Sequence, residues 1–185
     1  NPRDIIVKHL PEGRLKPGET VDDLLRRRGK IFEEHVAAGK LEETEGASQL
    51  VNAMVESGVK CAIVSSGSRG YIEKAVAALG LTEAFEFIIA GDDPECTHHK
   101  PHPFPYLSAA ERLGVEPAAC VVFEDSLSGI RSAQAAGMHV VGIRSPVNGH
   151  LTADPSVADG PPRALGPDEP LLPLIALIGS FYELE

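Results

Sequence analysis

The sequence predicts an α/β protein built on a parallel sheet with helices on both faces. Three observations lead there. Short apolar runs rich in β-branched residues alternate with segments of helical periodicity. Glycines at 58, 80, 114 and 137 follow the helical segments, where a residue free to turn left-handed ends a helix at low cost. Polar residues gather just after the apolar runs, at the carboxyl ends of the strands, where open α/β sheets keep their ligand crevice.

Composition bounds the function. A length of 185 residues suits one good core with a small appended lobe. The formal net charge of −10 argues against a nucleic-acid partner or an anionic membrane surface. No apolar run reaches the length of a membrane span, and no signal peptide is present. Cys61, Cys96 and Cys120 have neither metal-ligand spacing nor the even number of a disulfide framework. A reducing, cytoplasmic setting is expected.

Taken in order, residues 1–42 read as helical and charged. Leu24, Leu25, Ile31, Phe32 and Val36 give residues 21–38 one apolar face, while Arg26, Arg27, Arg28 and Lys30 lie on the polar side. That basic run is either a solvated face or a cap helix that offers an arginine to an anion. Residues 47–57 read as a helix, 60–64 as a strand, 71–79 as a helix and 85–90 as a strand. Gly91-Asp92-Asp93 follows, then a helix over 104–113. Residues 120–123 form the next strand and carry Glu124 and Asp125 at their carboxyl end. Ser126 and Ser128 offer N-cap hydroxyls to the helix after it, and 139–143 is a further strand. Residues 146–170, rich in proline, glycine and aspartate, read as a surface loop. The tail, 171–184, is apolar enough to return as a strand or a helix.

Several strand ends can therefore converge: Ser65, the pair Asp92-Asp93, and Glu124-Asp125, with Lys100 in the loop between. A lysine and a hydroxyl satisfy phosphate oxygens, and hard carboxylate oxygens hold Mg²⁺. Each piece has a plainer reading too. Serine after a strand is a common turn residue, an exposed lysine needs no role, and Asp125 could simply cap its helix.

The wording and order of IVSSGSRGYI, HKPHPFPYLSAAERLGV and VVFEDSLSGIRSAQAAGMHVVGI resemble the haloacid dehalogenase superfamily. Within it they resemble the β-phosphoglucomutase-like and sugar-phosphatase branch. The resemblance implies a Rossmann-like core over 43–185 and part of a small helical cap over 1–42. It implies a Mg²⁺-dependent phosphatase of small phosphorylated metabolites such as sugar phosphates, working through an aspartyl-phosphate. Ser65 would bond the phosphoryl group, with Ser66 beside it. Lys100 would pair with phosphoryl oxygens and the nucleophilic carboxylate, and Asp125 and Glu124 would bind the metal.

Two departures stand out. Pro103 is followed by Phe104 and Pro105, where such lysine motifs commonly bring an acidic residue. More seriously, the resemblance calls for a central strand ending in Asp-x-Asp, the nucleophile and the general acid, and the 185 residues contain no such motif. Asp4 precedes its apolar run, Asp22-Asp23 opens a helix, and Asp92-Asp93 ends a different strand. A family-like segment ahead of Asn1 is therefore expected, and the chain as it stands is expected to be inactive. Without that strand, two sheet edges would stay unpaired or close by a different pairing. The alternatives are a pseudoenzyme that binds a phosphorylated ligand or a protein, and a phosphomutase. A zinc site from Cys96, His98, His99 and His102 matches no structural module, and a polar loop that positions Lys100 is the simpler reading.

Overall fold

The computed structural model describes residue 15, residues 17–143 and the strand at 174–175. Expectations for the first residues, the loop over 146–170 and most of the tail lie outside the described residues. The described chain is mixed α/β, with five α-helices and short parallel strands.

Helix α1 (Val21–Ala37) begins in a reciprocal capping box, with Thr20 and Asp23 each accepting from the other's backbone N–H. Hydrogen bonds from Thr20 and Arg26 hold the Asp23 carboxyl down at about 2. Helix α2 (Ala47–Glu56) leads to strand β1 (Ile63–Val64), and helix α3 (Arg69–Ala78) leads to strand β2 (Ile88–Ile89). Helix α4 (Phe104–Leu113) precedes strand β3 (Val121–Glu124), and helix α5 (Leu127–Ala135) precedes strand β4 (His139–Gly142). Strand β5 is Leu174–Ile175.

The strands fall into two parallel groups rather than the single sheet expected. Strands β1 and β2 pair in register Ile63 with Ile88, and the second group runs β4-β3-β5. Both edges of β3 are thus used at its start, with Val121 opposite His139 on one side and Leu174 on the other. Residues 174–175, in the tail that the sequence left open between strand and helix, supply the partner of that second edge as a strand.

Alternation sorts the core. Ile63 faces a cluster with Val51, Ile72, Val76 and Leu81, whereas Val64 faces one with Tyr106, Ala110, Val122 and Ala133. Successive strand residues point to opposite faces, so helices α2 and α3 cover one face of β1 and helices α4 and α5 the other. Burying each of the larger aliphatic side chains contributes roughly 1.5–3 kcal/mol. Helix α1 packs on α3 through Phe32 and Tyr71, whose ring centroids lie 4.6 Å apart. Gly29 lets it approach, since a Cβ there would lie 2.7 Å from the Tyr71 hydroxyl.

Candidate active site

The carboxyl ends of β1 and β3 meet at Lys100. Its ammonium donates to the Val64 carbonyl at 3.0 Å and forms a hydrogen-bonded ion pair with Glu124 Oε1. The two side chains are only 6% and 3% exposed. Lys100 also lies 4.9 Å from the centroid of the Tyr106 ring, a cation–π geometry. The Tyr106 hydroxyl donates to Glu124 Oε1 at 2.9 Å. Burial and the Glu124 charge push that phenol well above its ordinary value, so it remains the donor.

Glu124 Oε2 accepts from the Asp125 and Ser126 amides, each at 3.0 Å, and from the Ser126 hydroxyl at 2.9 Å. Two oxygens with about four lone-pair directions therefore serve five donors. Burial works to raise this carboxyl, but Lys100 and the hydrogen bonds from Ser126 and Tyr106 hold it below the usual value. Burial pushes Lys100 down, against the upward pull of Glu124 and Asp125. Gly129 makes room for the carboxylate, since a Cβ there would sit 1.7 Å from Glu124 Oε1.

Ser126 caps α5 by accepting from the Gly129 amide at 3.1 Å. The hydroxyl cap is therefore Ser126, and the reading of Asp125 as the cap residue does not hold. Asp125 stands next to the pair, close enough for its charge to act on both Lys100 and Tyr106. On chemistry the donor set fits Mg²⁺ unequally: Asp125 is a hard carboxylate at a strand end, while Glu124 is already saturated by donors.

Ser65 leaves β1 with its amide bonded to the Ile89 carbonyl at 2.9 Å. Its Oγ accepts from the Gly67 amide at 3.1 Å, which orients the hydroxyl as a donor. Ser66 is exposed beside it. Thus Lys100, Glu124 and Asp125 come together at one point, and Ser65 lies one residue beyond the carbonyl that anchors Lys100. Asp92 and Asp93 do not join them. Asp92 Oδ1 accepts from the Arg69 amide at 2.7 Å, and Asp93 binds the Arg69 side chain.

Two side chains escaped the reading of the sequence. Tyr106 lies at helical core spacing and reads as an ordinary aromatic. Arg69 stands among loop residues with no signal of its partner 24 positions away. In the histidine loop, the rings of His98 and His102 stack with centroids 4.4 Å apart, and the Ser132 hydroxyl donates to the His102 carbonyl at 2.7 Å. Among the described residues no group of three His, Cys, Asp or Glu is placed to hold a metal ion. Among them, too, no helix is long and apolar enough to cross a membrane.

A buried lysine held between two strand ends, with a serine loop and a carboxylate beside it, defines an α/β protein with a cation-centred polar site. The chain belongs to the haloacid dehalogenase-like hydrolase family, whose model matches residues 6–143, and within it to the β-phosphoglucomutase-like and sugar-phosphatase branch. It is 37% identical over 143 residues to protein CbbY of Rhodobacter capsulatus, covering 75% of this chain and 62% of that protein. It is 46% identical over 82 residues to the fructose-1-phosphate phosphatase YqaB of Escherichia coli, covering 44% of this chain and 43% of that one. Among solved structures it resembles CbbY from Rhodobacter sphaeroides bound to xylulose-(1,5)bisphosphate, with a TM-score of 0.62 and 27% identity. That match covers 80% of this chain and 65% of the other. The chain thus spans less than two thirds of each of these relatives.

Proposed function

We propose that these residues form the phosphoryl-binding part of a Mg²⁺-dependent phosphatase of small phosphorylated metabolites, sugar phosphates above all. One observation carries this reading: Lys100, buried and charged, ties the ends of β1 and β3 together beside Ser65 and Asp125. A cation fixed there neutralises phosphoryl oxygens without reorganising at the moment of reaction. Ser65 donates to the same group, with Ser66 beside it. Asp125 holds the metal, and Glu124 reaches it only by giving up one of its present donors. Bound Mg²⁺ would supply further neutralisation of phosphate charge.

In this reading residues 1–42 are part of a helical cap and 43–185 a Rossmann-like core with helices on both faces. The substrate class is supported by the fructose-1-phosphate phosphatase and by the bisphosphate-bound relative. An aspartyl-phosphate route needs an attacking carboxylate, and the 185 residues hold no Asp-x-Asp. The alternative reading is a pseudoenzyme that binds a phosphorylated ligand without turnover. A phosphomutase would differ only in passing the phosphoryl group to a sugar instead of water.

The deciding experiment compares the 185-residue chain with a version preceded by a family-like strand ending in Asp-x-Asp. The extended protein is expected to release phosphate from sugar phosphates only with Mg²⁺. Lys100→Met and Asp125→Asn are each expected to lower that rate by at least about a hundredfold. An extended protein that binds phosphate and never releases it from an ester would establish the pseudoenzyme.

A further inference from the structure

We infer that Arg69 and Asp93 are positioning residues that fix the Ser65–Ser68 loop in its phosphate-receiving shape. The role depends on Ser65 being the phosphoryl contact of the proposed function. The loop after β1 and the loop after β2 are locked together at several points. The Gly91 amide donates to the Gly67 carbonyl at 2.8 Å. The Arg69 amide, at the first turn of α3, donates to Asp92 Oδ1 at 2.7 Å. The Arg69 guanidinium grips Asp93 through two parallel bonds of 2.8 and 2.7 Å. Gly91 packs so closely on Ser66 that a Cβ would lie 2.3 Å from its carbonyl oxygen.

An exposed ion pair of this kind would deserve no role. This one differs because both partners are themselves tied to the backbone of β2 and its exit. Arg69 also donates to the Ile88 carbonyl at 2.9 Å, and Asp93 Oδ2 accepts from the Ala90 amide at 2.8 Å. The Asp93 side chain is only 10% exposed, and a bidentate guanidinium–carboxylate pair adds direction as well as attraction. Between these anchors lie the Ser65 hydroxyl and the Gly67 amide that orients it. Loosening the clamp leaves the phosphate contacts in place but lets their directions drift, and misdirected donors lose affinity.

The test uses the full chain, inorganic phosphate as the probe, and calorimetric titration well below each variant's own unfolding midpoint. Wild type is expected to bind phosphate and Ser65→Ala to bind it more weakly. Asp93→Asn and Arg69→Lys, shown by circular dichroism to be folded, are expected to weaken phosphate binding about tenfold, the usual cost of losing an outer support. In both variants the Gly67 and Ser68 amides should exchange with solvent faster than in wild type. Folded clamp variants with wild-type phosphate affinity, alongside a weakened Ser65→Ala, would reduce the pair to a structural tie and overturn the inference. Wild type that takes up no phosphate would remove the phosphoryl reading of Ser65 itself, and the positioning role with it. Should Asp93→Asn not fold, Arg69→Lys, which keeps the charge and loses only the fork, decides the matter alone.

Discussion

Lys100 and Glu124 face each other inside the protein, so neither charge can be removed singly without stranding the other. A buried pair contributes little over an apolar replacement, yet breaking it costs about 3–5 kcal/mol. Lys100→Met is therefore expected to lower unfolding free energy by that amount in a denaturant titration. Tyr106→Phe removes one donor from an already well-served carboxylate, and about 1–2 kcal/mol is expected. A Lys100→Met variant as stable as wild type would show that the two groups are not paired in solution. The sequence pointed to Lys100, Glu124 and Asp125 but not to their division of labour. Adjacent carboxylates look equivalent on paper, whereas Glu124 points inward to five donors and Asp125 acts on Lys100 and Tyr106 through its charge. Chain direction and pleat made that difference, and no spacing rule encodes it.

At the scale of elements, helix α3 shows what local rules miss. Its start was expected near Tyr71 but lies at Arg69, because its first amide finds an acceptor in Asp92, 23 residues away. Ser68, the residue in the N-cap position, makes no side-chain cap bond. The same contact region yields a pH prediction. Burial works to raise the Asp93 carboxyl, but Arg69 and the Ala90 amide outweigh it and hold it below its ordinary value. A carboxyl depressed on folding stabilises the native state above its unfolded value, about 3.9, and that stability is lost as pH falls through the lower folded value. Thermal midpoints of wild type are thus expected to drop on acidification below about pH 4. Asp93→Asn should start lower at neutral pH and fall less over the same range. Parallel acid profiles for the two proteins would mean that the clamp carries no linkage.

For the whole molecule, the second edge of β3 matters most. Residues 174–175 close it in parallel register with Val121 and Val122, joined to the rest by a stretch rich in proline and glycine. Buried strands need both edges satisfied, so removing residues 171–185 is expected to speed hydrogen exchange at the Val121–Glu124 amides and to blunt the unfolding transition. Unchanged protection of those amides after truncation would show that the tail strand contributes nothing to the sheet. A cooperative, monomeric transition of the 185-residue chain at high temperature would count against the expectation that its sheet edges stay unpaired or close by a different pairing.

By itself the sequence determined the alternation of strands and helices, the glycine stops, the apolar faces and the identity of the polar strand ends. These follow from periodicity, propensity and turn chemistry, which act over a few residues. Only the tertiary structure decided which polar groups meet. It brought Lys100 to Val64 and Glu124, sent Asp92 and Asp93 away to Arg69, put Tyr106 under the ammonium, and gave β3 a partner from the tail. Those outcomes depend on crossings between residues dozens of positions apart. Burial there makes an unpaired charge or amide expensive enough to choose its partner, and a linear pattern of residues does not contain that choice.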